Sequence, residues 1–249
     1  MPSSAPLRRG LVRMAVISLV ALGPATTGCA VGVPRSLDPA GVDGLEIPTA
    51  TPDPADFVRA IDNPWLPLAP GSVWRYEVAE AGEVIATIEV SVADDTREVA
   101  GVSTTVVHDV VRDVSGAVIE DTFEWYAQDA RGNVWSFGED TTSFDQGRPS
   151  TEGSWEAGLD GARAGLAMAA RPRVGDGYRR EFREGVAEDV AEVVSLEATR
   201  GEWTHLVETL DTTPLEPGVE EHAFYAEGLG LVVEEGETET VTLVSSQLR

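Results

Sequence analysis

Three histidines are the first side chains to test for chemistry. His108, His205 and His222 each lie in a run that reads as a strand, so a sheet that gathered them could ligate a metal. No two have close ligand spacing and no H-E-x-x-H is present, so no metal site is expected. Paired carboxylates could run glycoside hydrolysis, but with 43 Asp and Glu in the chain some pair always looks suitable. Acyl transfer needs a nucleophile beside a base, and no G-x-S-x-G elbow singles out a serine. The chain contains no Lys, so every permanently positive side chain is Arg. That removes the P-loop lysine, the Schiff-base lysine and the Ser-Lys dyad. Asp129, Arg131 and Asn133 alternate in a glycine-containing turn whose oxygens would suit calcium. Arg131 stands where a further ligand would be wanted, and such clusters are ordinary turn chemistry. No catalytic residue, no metal and no cofactor is therefore expected, and an enzyme ranks behind the binding and structural readings.

The aromatic side chains carry more. Trp125 and Tyr126 are adjacent, so on a strand they point to opposite faces, and one leaves the main core unless both faces are covered. In an open barrel such aromatics would lie at a concave mouth, where apolar ligands bind. Residues 157–170 are interrupted by Gly158, Gly161 and Gly165 and carry neither helical nor strand periodicity. A long irregular segment in a compact domain is often a lid or binding loop. The candidate ligand-binding set is therefore Trp125, Trp135 and Trp155 at the mouth, with Leu159, Leu166 and Met168 on a covering loop. The competing account is a plain surface loop whose apolar residues cap the core.

The elements that must position these residues read as strands. Val84, Ala86, Ile88, Val90 and Val92 alternate with Ile85, Thr87, Glu89 and Ser91, the period of a strand with one buried face. Similar runs cover 72–78, 102–111, 117–128, 134–137, 178–182, 186–196, 204–212, 219–226, 231–235 and 238–244, separated by Gly, Asp, Asn and Pro turns. In 117–128, Ile119, Phe123 and Trp125 share a face on which Asp121 intrudes. The pattern predicts an all-β fold: a single antiparallel sandwich or open barrel of about ten strands, with one long glycine-interrupted loop or short helix.

The N-terminus is of another kind. Arg8, Arg9 and Arg13 form a positive region free of acids; a short apolar run, 14–22, follows, and small residues lead to Gly28 and Cys29. That order is a cleavable secretory leader, and its apolar run is too short to span a bilayer, which takes about 20 residues. Cys29 is the only cysteine, so no intrachain disulfide can form. Its setting, Ala25-Thr26-Thr27-Gly28-Cys29, resembles the lipobox of bacterial lipoproteins, with Thr26 where that family prefers Leu. The resemblance implies cleavage before Cys29 and diacylglycerol on its sulfur, a membrane anchor once a further acyl chain is added. Loss of the three leader arginines takes the net charge from −25 to −28. Such a charge excludes nucleic acid as a partner and favours solubility. The organisation expected is a leader at 1–28, a lipidated N-terminus and proline-rich tether at 29–55, and one β-rich domain at 56–249.

Three further stretches, Ile61-Asp62-Asn63-Pro64-Trp65-Leu66-Pro67-Leu68-Ala69-Pro70-Gly71-Ser72-Val73-Trp74-Arg75-Tyr76, Glu124-Trp125-Tyr126-Ala127-Gln128-Asp129 with Gly132-Asn133-Val134-Trp135, and Glu221-His222-Ala223-Phe224-Tyr225-Ala226-Glu227-Gly228-Leu229-Gly230-Leu231-Val232, resemble motifs of a group of secreted or lipid-anchored actinobacterial proteins. The likeness spans roughly residues 57–236 and implies a fold and a location but no reaction. The strand pattern is also similar to open-barrel envelope lipoproteins that wrap a helix or a lipid, a likeness of architecture that does not fix function. The expected role is binding without catalysis, by an exported lipoprotein held to a membrane through its lipid. Its ligand would be apolar, a glycan or an envelope protein. The alternative is an envelope assembly factor acting through an exposed sheet face.

Overall fold

The computed structural model describes residues 53–249; the leader, Cys29 and nearly all of the tether lie outside the described residues. A 3₁₀ turn, Pro54–Asp56, opens it, with the Asp53 carboxylate accepting from the Ala55 amide. The strands follow as β1 (Phe57–Val58), β2 (Val73–Glu80), β3 (Glu83–Val99), β4 (Val102–Asp113), β5 (Val118–Asp129), β6 (Val134–Asp145), β7 (Arg148–Ser150) and β8 (Trp155–Glu156). Then come β9 (Arg163–Met168), β10 (Gly177–Arg179), β11 (Glu181–Phe182), β12 (Val190–Arg200), β13 (Trp203–Thr212), β14 (Glu220–Ala226), β15 (Gly230–Glu235) and β16 (Glu239–Gln247). Among the described residues no helix is long and apolar enough to cross a membrane.

All sixteen strands belong to one antiparallel sheet, in the order β10-β12-β13-β14-β15-β16-β2-β3-β4-β5-β6-β9-β11, with β1, β7 and β8 on short side pairings. The two ends of that order, β10 and β11, are separated in sequence by Arg180 alone. The sheet therefore curls into a nearly closed barrel whose seam is a single residue of chain. Closure hides sheet edges that would otherwise invite pairing with another molecule. The all-β expectation holds, with more strands than the ten or so expected.

One of the extra strands comes from the segment expected to be a loop. Residues 163–168 form β9, paired with β6 through Trp135↔Leu166 and Ser136↔Gly165 and with β11 through Glu181↔Ala164. The strand showed no alternation because five of its six residues are buried, on both faces. Gly165 belongs in it for a steric reason: a Cβ there would lie 2.2 Å from the Arg180 carbonyl oxygen. Glycine in a strand marks such a close backbone approach. Residues 163–168 thus contribute barrel wall, in place of the lid expected of 157–170.

Three apolar clusters hold the fold. The largest fills the barrel with Trp74, Tyr76, Val78, Ile88, Val107, Tyr126, Met168, Val193 and Tyr225, and takes in Ile61, Leu66 and Leu68 from the segment before β2. A second covers the other face of β4–β6 with Val99, Val102, Trp125, Phe137, Trp155 and Ala164. A third covers that of β13–β15 with Leu206, Phe224 and Val232. Trp125 and Tyr126 are accordingly both buried, one in each layer.

Candidate functional site

Residues 59–72 form a strap of irregular chain across one end of the barrel, and Asn63 pins it. The Asn63 side chain donates to the carbonyls of Gly132 and Ala169 and accepts from the amides of Trp65 and Leu66. Gln128 accepts from the amides of Asp62 and Asn63 and donates to the Asp62 carboxylate at 2.6 Å. The Gly228 amide donates to the Pro64 carbonyl at 2.6 Å. The three stretches that carried the sequence resemblance therefore meet here, at one end of the molecule.

Beneath the strap lies a cavity of ≈ 30 Å³, room for roughly two waters. Its lips are apolar: Leu66, Pro67 and Leu68 from the strap, Leu229 from the β14–β15 turn and Leu231 from the start of β15. Its inner wall carries Trp74 and Tyr76 of β2, Val90 of β3, Val107 and Asp109 of β4, and Glu124 and Tyr126 of β5. Register explains why two carboxylates share the floor. Val107 pairs with Glu124 and Asp109 with Thr122, so Asp109 and Glu124 are diagonal neighbours on the inner face.

Both carboxylates are buried, 1 % and 4 % exposed. Tyr126 donates its hydroxyl to Glu124 Oε1 at 2.9 Å, Tyr76 donates to the Leu231 carbonyl, and the Trp74 indole to that of Leu229. Burial, reinforced by the charge of Asp109, holds the Glu124 carboxyl well above the usual range. Burial, then Asp109, raises the Tyr76 hydroxyl likewise; burial, then Glu124, raises Tyr126. Deeper along the barrel Arg180 pairs with Asp211. Burial works against its charge, but Asp211 together with the neighbouring tyrosines outweighs it and the guanidinium stays firmly protonated. Burial pushes Tyr225, beside this pair, up to about 12.

A stability prediction follows for Glu124. Its folded pKa is raised, so above the pKa of the unfolded chain the native state keeps a proton that the unfolded state has lost. Stability must then fall as pH rises out of the ordinary carboxylate range. Urea unfolding of Glu124→Gln from mildly acidic to mildly alkaline pH should show less of that decline than wild type, and parallel curves would remove Glu124 as its source.

The residues proposed from sequence are placed elsewhere. Trp125 and Trp155 come together in the outer layer, with Arg97 3.9 Å over the Trp125 ring. Trp135 is half-buried, its indole donating to Asp129 Oδ2, while Leu166 and Met168 face the barrel core from β9. Leu159 is exposed on a turn. None of the six lines the cavity. Each histidine contacts a carboxylate of its own: His108 with Asp121, His205 with Glu197, His222 with Glu208. The Asp129 carboxylate accepts from four donors of its own turn region, the amides of Arg131 and Asn133 and the side chains of Asn133 and Trp135.

No family model and no curated protein matches the sequence. Two solved structures resemble it. One, from Bacteroides fragilis, is named as an exported protein with a YmcC-like fold: 13% identical, covering 74% of this chain and 99% of its own, TM-score 0.46. The other is named as a lipoprotein, from Parabacteroides distasonis: 10% identical over 74% and 99%, TM-score 0.42.

Sequence reading missed Asp109, Glu124 and Arg180. A signal existed for the first, since Asp109 interrupts the apolar run of 106–111. Glu124 alternates with Glu120, Thr122 and Tyr126, a polar face that reads as solvent-exposed until the strand is seen from inside a barrel.

Proposed function

We propose that this chain is an exported lipoprotein, anchored through Cys29, that binds a small ligand without catalysis in the cavity beneath the strap. The observation that carries the binding role is the cavity's composition: apolar lips over a buried Asp109–Glu124 pair. Buried carboxylates oppose folding, and such groups gather at sites that use them. The strap is a short irregular segment held by hydrogen bonds, so it is the part of the wall that can yield to a guest larger than the present cavity. The leader, the single cysteine and its flanking small residues support the anchor.

The anchor is tested by replacing Cys29 with Ser, which should move the protein from the membrane pellet to soluble fractions; undiminished membrane retention would end the lipoprotein reading. Binding is tested by native mass spectrometry of protein purified from its own host. A co-purified small molecule, lost in Glu124→Met, is expected. A stoichiometric protein partner retained in that variant would move the role to an exposed sheet face.

A further inference from the structure

We propose that the cavity receives the carbonyl oxygen of a neutral ligand, with the Glu124 carboxyl as its hydrogen-bond donor and the ligand's apolar body leaving between the strap and the β14–β15 turn. This rests on the binding role proposed above and names the ligand class. Hydrogen-bond direction decides it. The Tyr126 hydroxyl donates to Glu124 Oε1 at 2.9 Å, and among the described residues no other hydrogen bond reaches that carboxyl. Burial, reinforced by the charge of Asp109, keeps the group protonated. With Oε1 accepting from Tyr126, the proton belongs on Oε2. A carboxylic acid kept neutral by its surroundings is a donor, and a buried donor without a partner costs free energy that an incoming acceptor recovers.

The rest of the lining suits the same guest. Its other side-chain donors are engaged, the Trp74 indole with the Leu229 carbonyl and the Tyr76 hydroxyl with the Leu231 carbonyl. Asp109 has a partner of its own and takes no part. The lining therefore offers a single donor, matched by a guest that brings an acceptor and no proton to place: the carbonyl of a ketone, an ester or a tertiary amide. An ammonium head would set further donors against that donor. A carboxylate head would bring its charge beside Asp109, and the basic group that reaches Glu124, Arg180, is paired with Asp211. Size agrees as well: ≈ 30 Å³ is about two waters' bulk, enough for a carbonyl group, while the apolar body belongs among Leu66, Pro67 and Leu229.

The test uses full-length protein in non-ionic detergent with butyl methyl ketone and its alkene isostere, in which a methylene group replaces the carbonyl oxygen and the shape is kept. Hexylamine and hexanoate are the charged comparisons. Binding is read by tryptophan emission, since Trp74 lines the cavity, and by calorimetry. The ketone should bind saturably, about fivefold more tightly than the alkene and more tightly than either ion. Glu124→Gln keeps a neutral donor and should keep that preference. Glu124→Met removes the donor and should abolish it, with circular dichroism confirming that each variant is folded. The comparison of ketone with alkene in the wild-type protein needs no variant. Equal binding of ketone and alkene, tighter binding of either ion, or a ketone preference that survives in Glu124→Met would overturn the assignment and leave the binding role standing. Silence from all four compounds would overturn both.

Discussion

Asp211→Ala should destabilise the protein by about 3–5 kcal/mol, the usual consequence of leaving one member of a buried ion pair alone. Asp211 and Arg180 are 6 % and 12 % exposed at their side chains, so water cannot replace the lost partner without opening the barrel. The tyrosines around them, Tyr126, Tyr178 and Tyr225, interact with the guanidinium but carry no charge to balance it at neutral pH. Joint replacement, Asp211→Leu with Arg180→Met, should recover much of the loss, because a buried pair exchanged for apolar groups of similar volume is often neutral. Urea unfolding at neutral pH measures both. A loss below about 1 kcal/mol for Asp211→Ala would show that Arg180 reaches solvent and that the barrel interior is wetter than its packing implies.

Gly165→Val should open the seam. The new Cβ would meet Arg180 oxygen at 2.2 Å, its carbonyl carbon at 2.4 Å and the Arg179 oxygen at 2.8 Å. All three atoms are backbone, so no side chain can turn away, and the strain should reach about 3 kcal/mol or more. The damage should be local first. Residues 179–182 are held to β9 by two residue pairs and on the other side by the Arg179↔Val190 pair and the Asp189 carbonyl, so trypsin should cut at Arg179 or Arg180 in the variant well before wild type is cut. Gly177→Ala is the control. It lies two residues before Arg179 on β10, where an added methyl would meet no heavy atom within 4 Å and φ lies outside the left-handed region. Its effect should stay within about 0.5 kcal/mol. Equal effects of the two changes would remove the close approach as the reason for Gly165.

Much of the fold was legible because strand periodicity is a local property. On β2 and β3 one face is buried and the other is wet, and the burial alternates as the side chains do. Turns were legible for the same reason: Asp113, Ser115 and Gly116 carry their own hydrogen bonds, needing nothing from the rest of the chain. The expectation of a leader and of an anchor at Cys29 likewise rests on charge, apolar length and small residues alone.

What sequence could not decide was which face of a strand looks inward, and what covers the other. Along β5, Phe123 and Trp125 of the expected apolar face point out of the barrel, with Phe123 41 % exposed and stacked on His108. The polar side, Glu120, Thr122, Glu124 and Tyr126, faces into the barrel. That inversion arises because Trp125 is roofed by β8 and β9 residues, while the barrel satisfies polar groups within itself, as in the hydrogen bond between Thr122 and Thr141. β9 was hidden for the complementary reason: covered on both faces, it has no alternation to read. The cavity needed the strap, β2, β4, β5 and the β14–β15 turn together, and the hydrogen bond from Trp74 to Leu229 alone joins residues 155 positions apart. Single-strand periodicity reports whether a side chain is alternately wet or dry; only closure of the sheet decided that Asp109 and Glu124 share one small volume with three aromatic rings.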